Sequence, residues 1–236
     1  MSQLYLSAVA NARQIMQAQA VNANNLANAS TDGFRAEIAY ISDAQNGGQA
    51  LSSPDLSEGV IRTTGRNLDV AVNGRGWIAV QAPDGTEAYS RRGDLHVDPL
   101  GQMVDGLGRQ IMGNQGPIAI PPFSNIEIAN DGTISIQPLG QPANTMAVLD
   151  RIKLVDLPDE NTLRGEDGLM RLPDNNIADA SAAVQVTSRS LEGSNVNTVG
   201  EMVKMIELAR RFEGQVKLMR SAQENHAALN KIMGMN

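Results

Sequence analysis

The residue types that could support catalysis are few and lie in one short stretch. Ser90, Asp94 and His96 fall within seven residues, and these are the side chains of a hydrolytic triad. Closeness along the chain does not create triad geometry, and the stretch around them has a strand-like pattern. His226, the other histidine, lies on a predicted helical seam. We therefore predict no enzymatic activity and no catalytic residue.

Motifs for cofactors and metals are also weak. The segment NGRGW at residues 73–77 contains Gly-x-Gly, but no helix follows, as a phosphate-binding loop requires. The acidic pairs at residues 159–160 and 166–167 lie in polar turns without the alternating ligands of a calcium loop. The chain has no cysteine, which excludes disulfides, thiol catalysis and cysteine-bound metals. We predict no cofactor, no metal and no small-molecule substrate.

Charge and hydropathy restrict the partners. The net charge of −7 over 236 residues argues against nucleic acid or an anionic membrane as the main partner. No run approaches the roughly 20 apolar residues of a membrane span, and the first residues lack the basic and apolar blocks of a cleaved signal peptide. If the protein leaves the cytoplasm, another export route must transport it.

Hydrophobic periodicity predicts a helix at each end of the chain and strands between them. Residues 2–29 have a helical period, residues 42–59 are rich in Ser and Gly, and short apolar runs separated by turns fill residues 60–189. A second helix is predicted from about residue 195, with an a/d series at Met202, Met205, Ala209, Phe212, Val216, Met219, Gln223, His226, Asn230 and Met233. The predicted fold class is α+β, with long N- and C-terminal helices forming a coiled-coil domain and an all-β domain inserted between them.

The N-terminal helix is unusually poor in charge. Residues 1–31 contain one charged side chain, Arg13, beside eight Ala, five Asn and four Gln. A surface helix normally has a charged face, whereas amides can be buried when they are hydrogen-bonded. This composition favours a helix enclosed by protein on most sides, with other subunits as neighbours. The alternative is a helix that stays disordered in the monomer and orders on assembly.

Three segments resemble a known family, the rod and hook proteins of the bacterial flagellum. They are ANNLANASTDGFR at residues 23–35, YSRRGDL at residues 89–95 and LEGSNVNTVGEMVKMIELARRFE at residues 191–213. They occur in the family's order and reach both ends of the chain. Chain length and the last segment are most similar to a proximal rod protein. The alternatives are a distal rod protein of the same family, or a non-flagellar coiled-coil adaptor with a β head.

The resemblance implies a structural subunit of the rod, located in the basal body and crossing the periplasm. It implies export by the flagellar type III apparatus without a cleaved signal, assembly with other rod subunits and with copies of itself, and torque transmission. It implies a core domain at residues 1–30 and 195–236, an extended connection at 31–59 and an outer β domain at 60–194. The residues expected at subunit contacts are Ala23, Asn24, Asn25, Leu26, Asn28, Thr31, Gly33, Phe34, Leu191, Glu192, Asn195, Val196, Met202, Val203, Ile206, Arg211 and Phe212.

Overall fold

The computed structural model describes residues 2–41, 50–142, 145–158, 162–165 and 167–233. These residues form eighteen β-strands, two α-helices and one short 3-10 helix, so the fold is mostly β. The predicted fold class, α+β with a coiled-coil domain and an inserted all-β domain, is therefore wrong. Periodicity at the chain ends located the helices, but it could not show that a strand pair belongs to the same compact unit as the helices.

The first compact unit contains the described residues of Met1–Ala29, Ala36–Asp55 and Val196–Asn236. Helix α1 spans Ser2–Ala27 and helix α2 spans Thr198–Met233, and the two pack against each other. Strands β1 (Glu37–Ile41) and β2 (Ala50–Pro54) form an antiparallel pair that also contacts α1.

The buried face of α2 differs from the predicted a/d seam. Leu208 is the buried apolar side chain of this helix among those described, whereas Met202 is 53% exposed and Ala209 is also exposed. A heptad seam would turn Met202 and Ala209 toward a partner helix. Met205, Phe212, Val216 and Met219 of the same series are half-buried, so the predicted seam agrees with the buried face of α2 only in part.

Local hydrogen bonds explain where the helices begin and end. The side chain of Asn197 accepts a hydrogen bond from the N–H of Gly200 at 3.1 Å, which is the N-cap arrangement that satisfies a free amide at a helix start. Glu201 adds a negative charge in the first turn of α2, where the helix dipole favours it. At the other junction, the N–H of Ala29 donates to the carbonyl of Leu26 at 3.3 Å, which closes the last turn of α1.

The second compact unit contains the described residues of Ser30–Arg35 and Leu56–Asn195. Its strands are short and are joined mainly by turns. They are β3 (Ile61–Thr63), β4 (Val70–Asn73), β5 (Trp77–Gln81), β6 (Glu87–Ser90), β7 (His96–Val97), β8 (Met103–Val104), β9 (Met112–Gly113), β10 (Gly116–Pro117), β11 (Phe123–Ile128), β12 (Thr133–Pro138), β13 (Ala147–Arg151), β14 (Leu154–Val155), β15 (Leu163–Arg164), β16 (Met170–Arg171), β17 (Gln185–Ser188) and β18 (Ser190–Glu192). The 3-10 helix is Pro173–Asn175.

These strands pair in antiparallel order throughout. The largest sheet has five strands in the order β14-β5-β6-β16-β15, and a second has three in the order β11-β12-β13. The remaining strands of this unit form the pairs β9-β10, β4-β17, β3-β18 and β7-β8. The pairs β4-β17 and β3-β18 join the beginning of this unit to its end. The middle motif reaches β4 through the N–H of Val70, which donates to the carbonyl of Gly93 at 3.0 Å.

Two hydrophobic clusters form the core of the second unit. Aliphatic side chains from most strands build the larger one, in agreement with the low aromatic content, and Ile134 and Ile136 of β12 enter it by strand alternation. The smaller cluster surrounds Trp77 and Tyr89. The smaller cluster neighbours a buried charged residue, since Arg91 lies over the ring of Trp77.

Candidate functional site

A buried ion triad lies where the three sequence motifs meet in the second unit. Nη1 of Arg35 is 2.8 Å from Oε1 of Glu192, and Nε of Arg91 is 2.8 Å from Oε2 of the same carboxylate. The three side chains are at most 5% exposed. One carboxylate therefore neutralises two guanidinium groups from distant parts of the chain, and we name these residues the charge triad.

Backbone groups satisfy most of the remaining hydrogen-bonding capacity of the charge triad. Arg91 donates from Nη1 to the carbonyls of Gly74 and Gly76 at 2.8 and 2.6 Å, and the N–H of Gly59 donates to Glu192 at 2.8 Å. Arg91 also lies over the ring of Trp77, 5.9 Å from its centroid. Buried charges are tolerated only when they are paired and hydrogen-bonded in this way.

Arg35 is the member of the triad with an unsatisfied donor. Its Nη1 donates to the carbonyl of Ser57 at 2.6 Å, but its Nε has no hydrogen-bond partner among the described residues. Burial lowers the pKa of Arg35, and the neighbouring Glu192 carboxylate opposes that effect. A cavity of about 40 Å³ lined by Arg35, Trp77 and Arg91 adjoins it, which is room for a water molecule.

Gly33 is required by the close approach of the backbone to this region. Its φ is +69°, and a Cβ atom there would lie 2.4 Å from the carbonyl carbon of Arg91. Its N–H donates to the carbonyl of Glu192 at 2.7 Å. A residue with a side chain would be strained in this conformation and would also collide with the neighbouring backbone.

Two further predicted residues belong to the same region. Phe34 is buried with the guanidinium of Arg164 4.7 Å from its ring centroid, and its carbonyl accepts from the N–H of Asn195 at 3.4 Å. The side chain of Asn195 donates to the carbonyl of Ser57 at 3.0 Å. These contacts hold the N-terminal motif, the segment around Ser57 and the C-terminal motif together within the second unit.

The asparagines of the first motif have different environments in the first unit. Asn25 is 1% exposed; it donates from Nδ2 to the carbonyl of Glu37 and accepts from the N–H of Glu37, both at 2.8 Å. Asn28 donates to the carbonyl of Asn24 at 2.9 Å. Ala23 and Asn24 are exposed, whereas Leu26 is half-buried. Asn25 therefore links α1 to β1 within one chain through two hydrogen bonds.

Several residues of these contacts were absent from the predicted site. Arg35 and Arg91 lie inside the quoted motifs, but nothing in their spacing indicates a shared carboxylate. Asn22 is fully buried and donates to the carbonyl of Glu201 at 3.0 Å and to its carboxylate. The presence of an amide on an otherwise apolar helical seam was the one signal that could have identified Asn22.

The predicted residues of α2 form an exposed surface. Val199, Met202, Val203 and Ile206 are 70, 53, 53 and 56% exposed, and their spacing of three and four residues places them on one helix face. We call these four residues the apolar stripe. Arg211 is exposed and Phe212 is half-buried farther along the helix. Exposed apolar groups that follow one face mark interaction sites.

The remaining predicted residues lie beside the charge triad or at the junction that follows it. Leu191 and Glu192 are buried in β18, while Thr31 and Val196 are half-buried. The predicted contact residues therefore fall into three groups: those around the charge triad, those on the last turns of α1, and those on α2, of which Met202, Val203, Ile206 and Arg211 are exposed.

The possible triad of Ser90, Asp94 and His96 has no catalytic arrangement. The carboxylate of Asp94 binds Arg92 at 2.6 and 2.8 Å, the hydroxyl of Ser90 accepts from the N–H of Arg92, and His96 is exposed. The side chain of His226 and residues 159–161 and 166 lie outside the described residues. Across the part of the chain that the structure describes, no group of three His, Asp or Glu could hold a metal, and neither helix is apolar enough over its length to cross a membrane.

Comparison with known proteins identifies the class. A family model described as "Flagellar hook protein FlgE/F/G D1 domain" matches residues 71–136, and another described as "Flagellar basal body rod FlgEFG protein C-terminal" matches residues 187–232. The two matches contain the middle and C-terminal motifs. They define the chain as a protein of the flagellar rod and hook class.

Relatives that match over nearly the full length show which member of this class the chain resembles most. The chain is 42% identical to the flagellar basal-body rod protein FlgF of Escherichia coli strain K12 and 41% identical to FlgF of Salmonella typhimurium strain LT2, in both cases over 98% of each chain. It is 29% identical to FlgG of Buchnera aphidicola from Acyrthosiphon pisum, over 92% of this chain and 96% of that protein. The chain belongs to the flagellar basal-body rod protein family and is most like FlgF. It is a structural subunit of the rod, so the predicted family and location in the basal body are confirmed.

Proposed function

We propose that this rod protein works in the proximal part of the rod, where it assembles with other rod subunits and with copies of itself to transmit torque across the periplasm. The observation that carries the proposal is its similarity to FlgF proteins over 98% of both chains. We further propose that the flagellar type III apparatus exports it without cleaving a signal. In this proposal residues 1–30 and 195–236 form the core domain of the rod, and residues 60–194 form its outer domain. Residues 31–59 connect the two domains.

Surface composition supports assembly through the first unit. Helix α1 has Arg13 as its one charged residue, and α2 exposes the apolar stripe to solvent. The four exposed apolar side chains contribute no burial free energy in the monomer. A neighbouring subunit that covers them would gain about 25 cal/mol of free energy for each Å² of apolar surface removed from water. The proposed contact residues Met202, Val203 and Ile206 lie on this surface.

The charge triad supports a mechanical role for the second unit. It fixes three chain segments through buried ion pairs and backbone hydrogen bonds, and breaking such a pair costs about 3–5 kcal/mol. A subunit that transmits torque needs internal contacts that do not yield under load. The proposed residues Gly33, Phe34, Leu191, Glu192 and Asn195 would then act by holding the subunit's shape for its neighbours.

The test is complementation of a strain that lacks the gene. Wild-type chain should restore swimming, and the stripe variant Val203→Asp should fail to restore it although the chain is produced and exported. The matched control is Leu100→Asp, which changes an 84% exposed side chain of the second unit and should restore swimming. Full swimming without the gene, or full rescue by Val203→Asp, would contradict the proposed assembly role.

A further inference from the structure

The cavity beside the charge triad is large enough for more than a water molecule. Its volume is about 40 Å³, and its lining includes the buried side chains of Arg35, Trp77 and Arg91. One water molecule needs roughly 10–15 Å³ of such volume. The cavity therefore has room for a single ion somewhat larger than water, next to two buried guanidinium groups.

Arg35 supplies a donor for which the described chain provides no acceptor. Its side chain is 5% exposed, and its Nε has no hydrogen-bond partner among the described residues. The hydrogen bonds that Arg91 makes within the described residues start from its Nε and Nη1, so its Nη2 is not used by them. A buried charged donor without an acceptor is unfavourable, and a ligand that accepts a hydrogen bond would remove that cost.

Charge favours an anion over a neutral acceptor. The charge triad keeps a formal charge of +1, because Arg35 and Arg91 share the single negative charge of Glu192. Desolvation is the main cause that lowers the pKa of Arg35, and repulsion from Arg91 lowers this pKa by more than Glu58 raises it. An excess of buried positive charge is stabilised by a counter-ion.

The acids in the cavity lining lie where solvent weakens them. Glu58 and Asp156 line the cavity, but both are exposed, as is Arg75. Water and salt screen exposed charges much more than buried ones, and the guanidinium of Arg75 offsets one of the two carboxylates. The buried excess of one positive charge therefore decides which ligand the cavity takes, and it calls for a monovalent anion.

We propose that this cavity binds one small monovalent anion of the size of chloride, which accepts a hydrogen bond from Nε of Arg35 and balances the excess charge of the charge triad. The site goes beyond the proposed function and does not depend on it, because all its residues belong to the second unit of one chain. A ligand that binds only the folded state stabilises that state. The anion would therefore strengthen the second unit.

The experiment uses bromide as the probe and Trp77 as the reporter. Bromide has the charge of chloride, is close to it in size and quenches indole fluorescence on contact. Trp77 is the one tryptophan of the chain and lines the cavity. The full chain is titrated with bromide at constant ionic strength, with the bulky organic anion isethionate as the salt that is replaced. We expect quenching that saturates and that added chloride reverses.

Two lysine variants locate the site. Arg35→Lys keeps a positive charge beside Glu192 but removes Nε, so it should weaken the apparent affinity for bromide by about tenfold or more. The matched control is Arg62→Lys, which changes a 61% exposed arginine paired with Asp32 in the same unit and should leave the quenching unchanged. Chloride should also raise the urea midpoint of the wild-type chain above its value in isethionate, and Arg35→Lys should remove that difference.

Several results would overturn the proposal. Quenching that rises linearly with bromide, or that chloride does not reverse, would show surface collisions only. An unchanged bromide affinity in Arg35→Lys would show that the anion is bound elsewhere. If Arg35→Lys does not fold, Leu56→Phe takes its place: it adds volume to the cavity lining without changing a charge, and unchanged bromide binding would contradict the proposal. None of these results bears on the rod role, which the complementation experiment tests.

Discussion

Replacing Glu192 by glutamine tests the charge triad with little change of shape. The substitution keeps an acceptor for the N–H of Gly59 but removes the negative charge that lies 2.8 Å from both Arg35 and Arg91. Two guanidinium groups would then remain buried without a counter-charge at that position. Since these side chains are at most 5% exposed, solvent cannot replace the lost carboxylate.

The expected loss of unfolding free energy is about 3–5 kcal/mol, the range found when one partner of a buried ion pair is removed. That is a large part of the 5–15 kcal/mol that stabilises a typical domain. The matched control is Glu127→Gln, because Glu127 and Arg189 are 3.9 Å apart and more than half exposed. This exposed pair should contribute less than about 1 kcal/mol.

The assay is urea unfolding of the full chain followed by tryptophan fluorescence. The chain has one tryptophan, and Trp77 is 8% exposed in the second unit beside Arg91, so the signal reports the unit that contains the charge triad. The free energy follows from linear extrapolation of the transition. A loss below about 1 kcal/mol for Glu192→Gln, or an equal loss for Glu127→Gln, would show that the charge triad does not stabilise the second unit in this way.

Three further predictions concern other contacts. Gly33→Ala should lower the urea midpoint by more than Gly65→Ala, because both glycines have positive φ but only the first would place a Cβ against backbone atoms; equal shifts would contradict this. Desolvation raises the pKa of Tyr89 to about 12, so its neutral form should add stability that is complete below about pH 10 and is lost as the pH rises toward 12. A phenolate absorbance titration should show a late transition that Tyr89→Phe removes, and its persistence would count against the assignment. Asn25→Asp should destabilise the free chain by about 1–3 kcal/mol, since the carbonyl of Glu37 loses its donor; unchanged melting of the circular dichroism signal, with Asn24→Asp as the exposed control, would refute it.

The sequence contained enough to predict the helices and the family, because their signals are local. A helical period needs only neighbouring residues, and the three motifs are continuous segments. The charge triad could not be predicted in this way, since Arg91 and Glu192 are 101 residues apart and arginine in a polar motif usually lies at the surface. Only the folded chain shows that strand pairing brings these segments together.

The asparagines of the first motif illustrate the same limit. Composition predicted that they are hydrogen-bonded, but it could not name the partner of Asn25, which is the backbone of Glu37. The contact between subunits that the resemblance implies for Asn25 stays a prediction. The predicted fold class, by contrast, was wrong. Apolar residues on α2 were interpreted as the seam of a coiled coil, yet Met202 and Ala209 of that series are exposed, and Leu208, which is outside it, is buried.

The most direct test of the rod role is electron microscopy of basal bodies isolated from a strain in which this gene alone is deleted. We expect particles that stop at the membrane ring without a completed rod, and complete rods after complementation with the wild-type chain. Complete rods in the deletion strain would contradict it.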